Sequence, residues 1–215
     1  MRSDRSSVRP GGRNCGPVRR RWKCAGAEDS ERPLRSCKDV VAQYLANYAA
    51  NAKDEMRWFR EPESIVRAIE RACEGRIERN GRLVRHNHQC RISASVLDEA
   101  AARLTAQRSA VAAAPDFRGL HDLVETTIGP IAGIGELAIY DIAHRIGAHR
   151  GLAPDEVYVH RGTRKGAIAL GFRGRKTIAM RELPAAFQRL TAAQAEDVLC
   201  IYHRDLARLR RLGKC

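Results

Sequence analysis

The chain has 215 residues, of which 44% are hydrophobic, so it is long enough to bury one main core and to form one principal domain. Its formal net charge of +14 favours a polyanionic partner, because each phosphate that Lys or Arg neutralises releases condensed counterions. No apolar run approaches the roughly 20 residues of a bilayer span, and seven irregularly spaced cysteines are unlike a secreted disulfide framework. The N-terminus also lacks the apolar segment of a secretory signal, so we expect a cytoplasmic protein without a membrane partner.

The first segment, residues 1–36, is predicted to be a basic, disordered arm. It is rich in Arg, Gly, Ser and Pro and has no sustained apolar period. Residues 1–38 contain eleven Lys or Arg against four Asp or Glu, so about half of the charge excess lies there. The alternative is that this arm is not native sequence, in which case its charge says nothing about function. The remaining residues, 37–215, are predicted to form a helical domain.

Helical spacing of apolar residues begins directly after the arm. The stretch VVAQYLANYAANA predicts a first helix, with Ser36 or Asp39 as its cap. A second helix is predicted between Pro62, which suits a first helical turn, and Gly75, which suits a helix end. A polar basic segment, RIERNGRLVRHNHQCRI, is expected to be a loop with a turn at Asn80–Gly81. The stretch SASVLDEAAARLTAQRSAVAA, which follows it, predicts a third helix.

The second half of the chain is also predominantly helical. DFRGLHDLVETTI predicts a helix capped by Asp116, and another helix is predicted over 136–149. EVYVH is the one credible strand, and Thr191 with Gln194 forms a possible capping box for the last helix. The sequence therefore predicts an all-α or nearly all-α fold, a multi-helix orthogonal bundle with at most a short β element.

Two glycines one residue apart occur in IAGIGELA, residues 131–138, just before a helix. Their amides and their missing Cβ atoms would let a phosphate approach the positive end of that helix. A dinucleotide-binding site would require a preceding strand and a third glycine. Here the preceding segment is helical and the third position is Ala138, so no nucleotide cofactor is expected. The simplest alternative is an ordinary turn between two packed helices.

The region 117–149 resembles the helix-hairpin-helix motif of DNA-binding and DNA-repair proteins, and more distantly the helix-hairpin-helix DNA glycosylases. The resemblance implies that the hairpin amides hold a backbone phosphate without reading bases, in some members with a bound monovalent cation. We therefore expect largely sequence-nonspecific binding of nucleic acid, and of duplex DNA in particular. The matching positions are Leu120, Leu123, Val124, Ile131, Ala132, Gly133, Ile134, Gly135, Ala138, Ile142 and Ile146.

Basic residues after the second of these helices are candidates for the same nucleic-acid surface. Fixed positive charge beside flexible glycines suits a phosphate, although a solvated loop explains the pattern equally well. Phe172, beside them, could stack on a base or belong to the core. The candidates are His160, Arg161, Arg164, Lys165, Arg173, Arg175 and Lys176.

Catalysis is less well supported than binding. The glycosylase resemblance implies, for the lyase members, a lysine two residues after the second glycine, and here that position is Leu137. It also implies a later aspartate, but alignment on His160 places Tyr158 there. Asp155 or Glu156 would serve only with a longer loop, so a monofunctional glycosylase-like repair enzyme is an alternative and a helical protein-interaction module is a third.

Asp141 is a further catalytic candidate, because it lies one helical turn before His144 and Arg145. That spacing fits a general acid-base pair and equally a helix-stabilising ion pair, of which we favour the ion pair.

A metal site is the last possibility. His86, His88 and Cys90 alternate, so in extended chain they would project to one side, and Cys24 or Cys37 would complete a zinc site. The spacing is unusual for zinc, and a basic loop whose arginines meet phosphate is the simpler interpretation. Neither this site nor the oligomeric state is fixed by the sequence.

Overall fold

The computed structural model describes residues 34–79, 82–86 and 89–215. Within these ranges the fold is all-α with two short antiparallel strand pairs, which confirms the predicted fold class. The α-helices are α1 (Cys37–Asn47), α2 (Ala49–Arg60), α3 (Ile65–Glu74), α4 (Ala94–Ala106), α5 (Arg108–Ala113), α6 (Phe117–Ile128), α7 (Glu136–Arg150), α8 (Arg164–Ala169), α9 (Ala192–Ile201) and α10 (His203–Arg211). The strands are β1 (Arg76–Arg79), β2 (Arg82–Arg85), β3 (Glu156–Tyr158) and β4 (Thr177–Ala179), and 3₁₀ segments cover Met180–Glu182 and Ala185–Arg189.

Polar side chains cap five of the ten α-helices of the described residues, and the sequence predicts the caps at Ser36, Asp116 and Thr191. Ser36, Ser64, Ser93 and Asp116 each accept a hydrogen bond from the backbone N–H three residues later, and each therefore satisfies one of the free amides of a first helical turn. The predicted capping box of α9 is also present, since Thr191 and Gln194 exchange side-chain and backbone hydrogen bonds of 3.0 and 3.2 Å.

Several predicted elements differ from the structure. The basic segment after α3, expected as a loop, forms the antiparallel pair β1–β2. The first, third and last predicted helices each divide into two, at Tyr48, Gln107 and Tyr202. The stretch RELPAAFQRL, whose pattern predicts a helix, adopts 3₁₀ turns at Met180–Glu182 and Ala185–Arg189. The predicted strand EVYVH is found as β3, paired with β4.

The core consists of two clusters of buried side chains. One is formed by α1, α8, α9, α10 and the β3–β4 pair, and the other mainly by α3 to α7. Strand β3 contributes to both, because successive strand residues face opposite sides: Val157 packs into the first cluster and Tyr158 into the second. Residues on either side of β3 are therefore held at the junction between the clusters.

The ends of the described chain meet at a disulfide. Cys37, at the start of α1, is bonded to Cys215 with a Cα–Cα distance of 5.1 Å. The N–H of Cys37 also donates to the carbonyl of Lys214 at 3.2 Å. Nothing in the sequence pattern indicates this pairing, since the two residues are 178 positions apart.

The predicted basic arm falls almost entirely in residues 1–33, which lie outside the described residues. From Leu34 onward the described chain belongs to one compact unit. None of its helices combines the length and apolar character that crossing a bilayer requires.

Candidate nucleic-acid interface

The turn between α6 and α7, residues 129–135 (the glycine turn), is held by three backbone hydrogen bonds. Gly129 donates to the carbonyl of Glu125 at 2.8 Å, Ile131 to that of Ile128 at 3.0 Å, and Ile134 to that of Ile131 at 3.0 Å. Ile131 is buried and fixes the turn to the core formed by α3 to α7. The two helices and the turn thus adopt the arrangement that the sequence predicts.

The two later glycines of this turn leave the start of α7 open. Gly133 has φ of 98°, a backbone conformation that side-chain-bearing residues rarely adopt. Gly135 is the N-cap of α7 and has no side chain to bond the amides of the first turn. Among the described hydrogen bonds, the N–H groups of Gly133 and Gly135 have no acceptor. These donors are therefore available to an anion.

Open space surrounds the same glycines. A Cβ atom built on Gly135 would meet no heavy atom within 4 Å, and one on Gly133 would meet only the methyl groups of Val96 at 3.8 Å. The missing side chains are consequently not needed to pack α6 against α7. The positive φ of Gly133 explains its glycine, and the open space leaves the backbone at the start of α7 accessible.

A shallow groove of about 290 Å³ adjoins the start of α7. Its apolar part comes from Val159, Ile168 and Phe172, and its charged part comes from both the turn and the basic loops. Phe172 is partly buried against the core, so it forms a wall of the groove as well as part of the packing. The charged residues lining the groove are Glu136, Arg164, Arg175 and Lys176.

Two of the predicted basic residues are neutralised by nearby acids. Arg164 contacts both carboxylate oxygens of Glu136, at 2.7 and 3.0 Å, and Arg175 contacts Glu182 at 3.0 and 3.1 Å. The hydrogen bonds from Arg175 hold the pKa of Glu182 below its ordinary value. These exposed pairs leave the local charge close to zero.

The other four predicted cations supply net positive charge. Arg161, Lys165, Arg173 and Lys176 are exposed and form no ion pair with another residue that the structure describes. Lys165 belongs to α8, the helix of Arg164, and Lys176 lines the groove. Of the predicted basic residues, Arg164, Arg175 and Lys176 line the groove at the start of α7.

His160 does not belong to this surface. Its side chain is buried, and its Nε2 lies 2.7 Å from a carboxylate oxygen of Glu196. Its Nδ1 accepts a hydrogen bond from the N–H of Gly162 at 3.1 Å, so Nε2 carries the proton and donates to Glu196. Both ring nitrogens are used inside the protein, which corrects the prediction that His160 contacts nucleic acid.

The three catalytic candidates occupy different environments. Asp141 forms an ion pair with the buried Arg145 at 3.6 Å, as favoured from their spacing. Glu156 accepts a 2.5 Å hydrogen bond from Arg118, and Asp155 is exposed. None of the three lines the groove at the start of α7.

The predicted metal ligands are engaged otherwise or lie outside the described residues. Cys37 is bonded to Cys215, and His86 lies 3.4 Å from Glu55. His88 and Cys24 are not among the described residues, and Cys90 is partly buried. Elsewhere in the described chain His121, Asp122 and Glu125 place potential ligand atoms within 4.8 Å of one another. This set lies on α6 with two exposed carboxylates, an arrangement common without a metal.

Sequence reasoning missed the roles of two acids of α9, the buried Glu196 and the partly buried Asp197. Glu196 receives the bond from His160, and Asp197 accepts a 2.6 Å hydrogen bond from the hydroxyl of Tyr44 on α1. Burial raises the pKa of Tyr44, and the negative charge of Asp197 raises it further. The available signal was an acidic pair inside the apolar run AAQAEDVLCI, which indicates carboxylates that need interior partners.

Comparison of the chain with protein-family models, with curated protein sequences and with solved structures finds no match.

Proposed function

We propose that the protein binds the sugar-phosphate backbone of nucleic acid, duplex DNA in particular, through the glycine turn and the basic residues beside it. The observation that carries the proposal is the open start of α7, where Gly133 and Gly135 leave amide donors without acceptors. Amides at a helix N-terminus favour a phosphate through both hydrogen bonding and the helix dipole.

The neighbouring charges complete this anion site. Glu136 would repel a phosphate at the start of α7, but Arg164 neutralises it. Arg161, Lys165 and Lys176 then give the surface a net positive potential. None of these groups is arranged to read base edges, so we expect binding with little sequence preference.

Two further points belong to the same proposal. Carbonyl oxygens of the glycine turn would hold a monovalent cation between the protein and the phosphate, as the helix-hairpin-helix resemblance implies. A role in DNA repair in the cytoplasm suits a duplex-DNA partner, and the proposal is confined to binding.

The first test measures anisotropy of a labelled, sequence-unrelated duplex with the full chain at two salt concentrations. We expect affinity to fall steeply with salt, since phosphate contacts release counterions. Gly135→Val is the informative variant, because its added side chain has space in the protein and would block only a ligand. Weakened binding by a variant with an unchanged circular dichroism spectrum supports the turn as the site. Unchanged binding would contradict it, and absence of binding by the parent chain would favour a protein-interaction module.

Charge variants locate the rest of the surface. Lys165→Gln with Lys176→Gln should lower the slope of log affinity against log salt by about 2, because each lost phosphate contact removes about 0.9. The matched control is Arg108→Gln with Arg189→Gln, two exposed arginines on α5 and at the second 3₁₀ segment. Equal effects of the two pairs would mean diffuse attraction to a basic protein and would overturn this assignment.

Glu136→Gln should have the opposite effect on binding affinity and strengthen it. The substitution removes the acid nearest the proposed phosphate and releases Arg164 from its ion pair. We expect severalfold tighter binding at low salt with a steeper salt slope. Weaker binding would indicate that the Glu136–Arg164 pair holds the site together rather than restraining it.

A further inference from the structure

The β1–β2 pair (the ribbon) places like charges opposite one another. Its register pairs Arg76 with Arg85 and Arg79 with Arg82, so four of its eight residues are arginines in directly opposed pairs. Like charges opposite one another destabilise a strand pair, and a two-stranded sheet is marginally stable to begin with. The fold therefore keeps an arrangement that costs stability.

The ribbon is anchored through β1, while on β2 Arg82, Leu83 and Val84 are exposed and Arg85 is partly buried. Ile77 is buried at 4% exposure, and the indole N–H of Trp58 on α2 donates to the carbonyl of Arg76 at 3.0 Å. The strand pleat sends Arg76, Leu83 and Arg85 to the face opposite Ile77. Leu83 is 54% exposed there, which makes it one of the most exposed large apolar residues of the described chain.

The arginines on this outward face have no partners within the protein. Arg76 and Arg85 make no side-chain hydrogen bond or ion pair with any described residue. Glu78 is the one acid of the ribbon and lies opposite Leu83 rather than opposite an arginine. The charge of this face is thus left for a polyanion outside the protein.

We infer that the ribbon is a second contact surface for the backbone of the duplex proposed above. This inference rests on the proposed function but concerns a different element. A two-stranded ribbon fits a DNA groove, and arginines on one face of it reach the flanking phosphates. Leu83, which lies beside Arg85 on β2 and faces the same side, adds an apolar contact to the groove wall. Charge complementarity selects nucleic acid over an apolar protein partner.

Trp58 provides a direct reporter of the ribbon. Its indole is bonded to the first ribbon residue and lies under the guanidinium of Arg71 at 4.2 Å. The other tryptophan is Trp22, so in full-length protein with Trp22→Phe the emission arises from Trp58 alone. Titration with a plain duplex should change this emission along the same saturation curve as anisotropy. Anisotropy saturation with no change in Trp58 emission would count against a contact at the ribbon.

The decisive variant is Arg76→Gln with Arg85→Gln. We expect the salt slope to fall by about 2, while the melting temperature stays the same or rises because the repulsion is relieved. Leu83→Ser should weaken binding severalfold without altering the slope, since it removes an apolar contact and no charge. The control is again Arg108→Gln with Arg189→Gln.

The outcomes separate this inference from the proposed function. If Gly135→Val weakens binding and the ribbon variants match the control, the ribbon inference is wrong and the turn stands. If the ribbon variants lower the slope and Gly135→Val has no effect, the ribbon is a contact and the proposed turn site is wrong. If the parent chain binds no duplex at all, both are overturned.

Discussion

At the scale of single residues, burial determines what the histidines of this protein do. His160 and Glu196 form a buried pair that joins the residues after β3 to α9, and Gly162 supplies the second hydrogen bond to the ring. A buried polar group with both nitrogens satisfied fixes two elements relative to each other. A histidine within a basic sequence is therefore interpreted as a phosphate ligand only when its ring reaches the surface.

His144 on α7 leads to a prediction about acid stability. Burial lowers its pKa to about 4, and its ring packs against those of Phe117 and Tyr140 at 6.2 and 5.6 Å. The unfolded chain protonates this group near pH 6.5, so folding opposes protonation between those values. The free energy of unfolding should fall by about 3 kcal/mol from pH 7 to pH 4 through His144 alone.

The measurement compares urea unfolding of the parent chain and of His144→Phe at pH 7 and pH 4. The variant should lose less stability on acidification, because Phe keeps the ring packing and has no proton to bind. Burial also lowers the pKa of His121, which adds to the fall in both proteins. His203→Gln is the control, and an equal acid response of His144→Phe and the parent would refute the assignment.

At the scale of elements, α8 and α9 approach each other at Gly166. A Cβ atom at this position would lie 2.1 Å from the carbonyl oxygen of Leu199. Ala normally stabilises a helix relative to Gly by up to about 1 kcal/mol, but here the overlap dominates. We expect Gly166→Ala to lower the free energy of unfolding by about 2 kcal/mol or more.

Urea unfolding of Gly166→Ala tests this packing. Gly135→Ala is the matched control, because its added Cβ meets nothing within 4 Å, and it should change stability by less than about 1 kcal/mol. Equal stability of Gly166→Ala and the parent would show that α9 moves away without cost and that the contact between Gly166 and Leu199 is not tightly packed. A loss at Gly166 would also displace α8, which carries Lys165.

Helix ends were predictable from the sequence because their causes are local. Ser36, Asp116 and Thr191 cap helices through residues at most three positions away. The start of α7 was recognisable for the same reason, since Gly133 and Gly135 act through their own backbone. Local chemistry of this kind needs no knowledge of the tertiary structure.

The ribbon and the buried pairs were not predictable, because their causes are distant in sequence. The arginines of residues 76–85 obscured the alternation that buries Ile77, and the predicted Asn80–Gly81 turn lies outside the described residues. The partner of His160 is Glu196, 36 positions along the chain. Pairing of Arg164 with Glu136 likewise depends on how α8 lies beside α7. Only the tertiary structure shows which cations remain unpaired.

At the scale of the whole molecule, the two core clusters are formed by different parts of the chain. Helix α1 packs with α8 to α10, while α3 to α7 form the second cluster. The first cluster therefore requires the beginning and the end of the described chain to meet. The bond between the N–H of Cys37 and the carbonyl of Lys214 and the disulfide from Cys37 to Cys215 lie at this meeting point.

The disulfide should stabilise the fold by about 3 kcal/mol when oxidised. It closes a loop of 178 positions, for which the chain-entropy treatment gives an upper value near 5 kcal/mol, and measured effects are usually smaller. In a reducing cytoplasm both residues would be thiols. The hydrogen bond from Cys37 to Lys214 and the packing of α1 against α10 remain when the disulfide is reduced, so the reduced protein should still fold.

Thermal unfolding with and without a phosphine reductant measures the contribution of the disulfide. The control is Cys215→Ser, which should melt at the same temperature in both conditions. A parent chain that also melts at one temperature in both would show that the disulfide does not form, and the termini would then be joined by packing and the backbone bond alone.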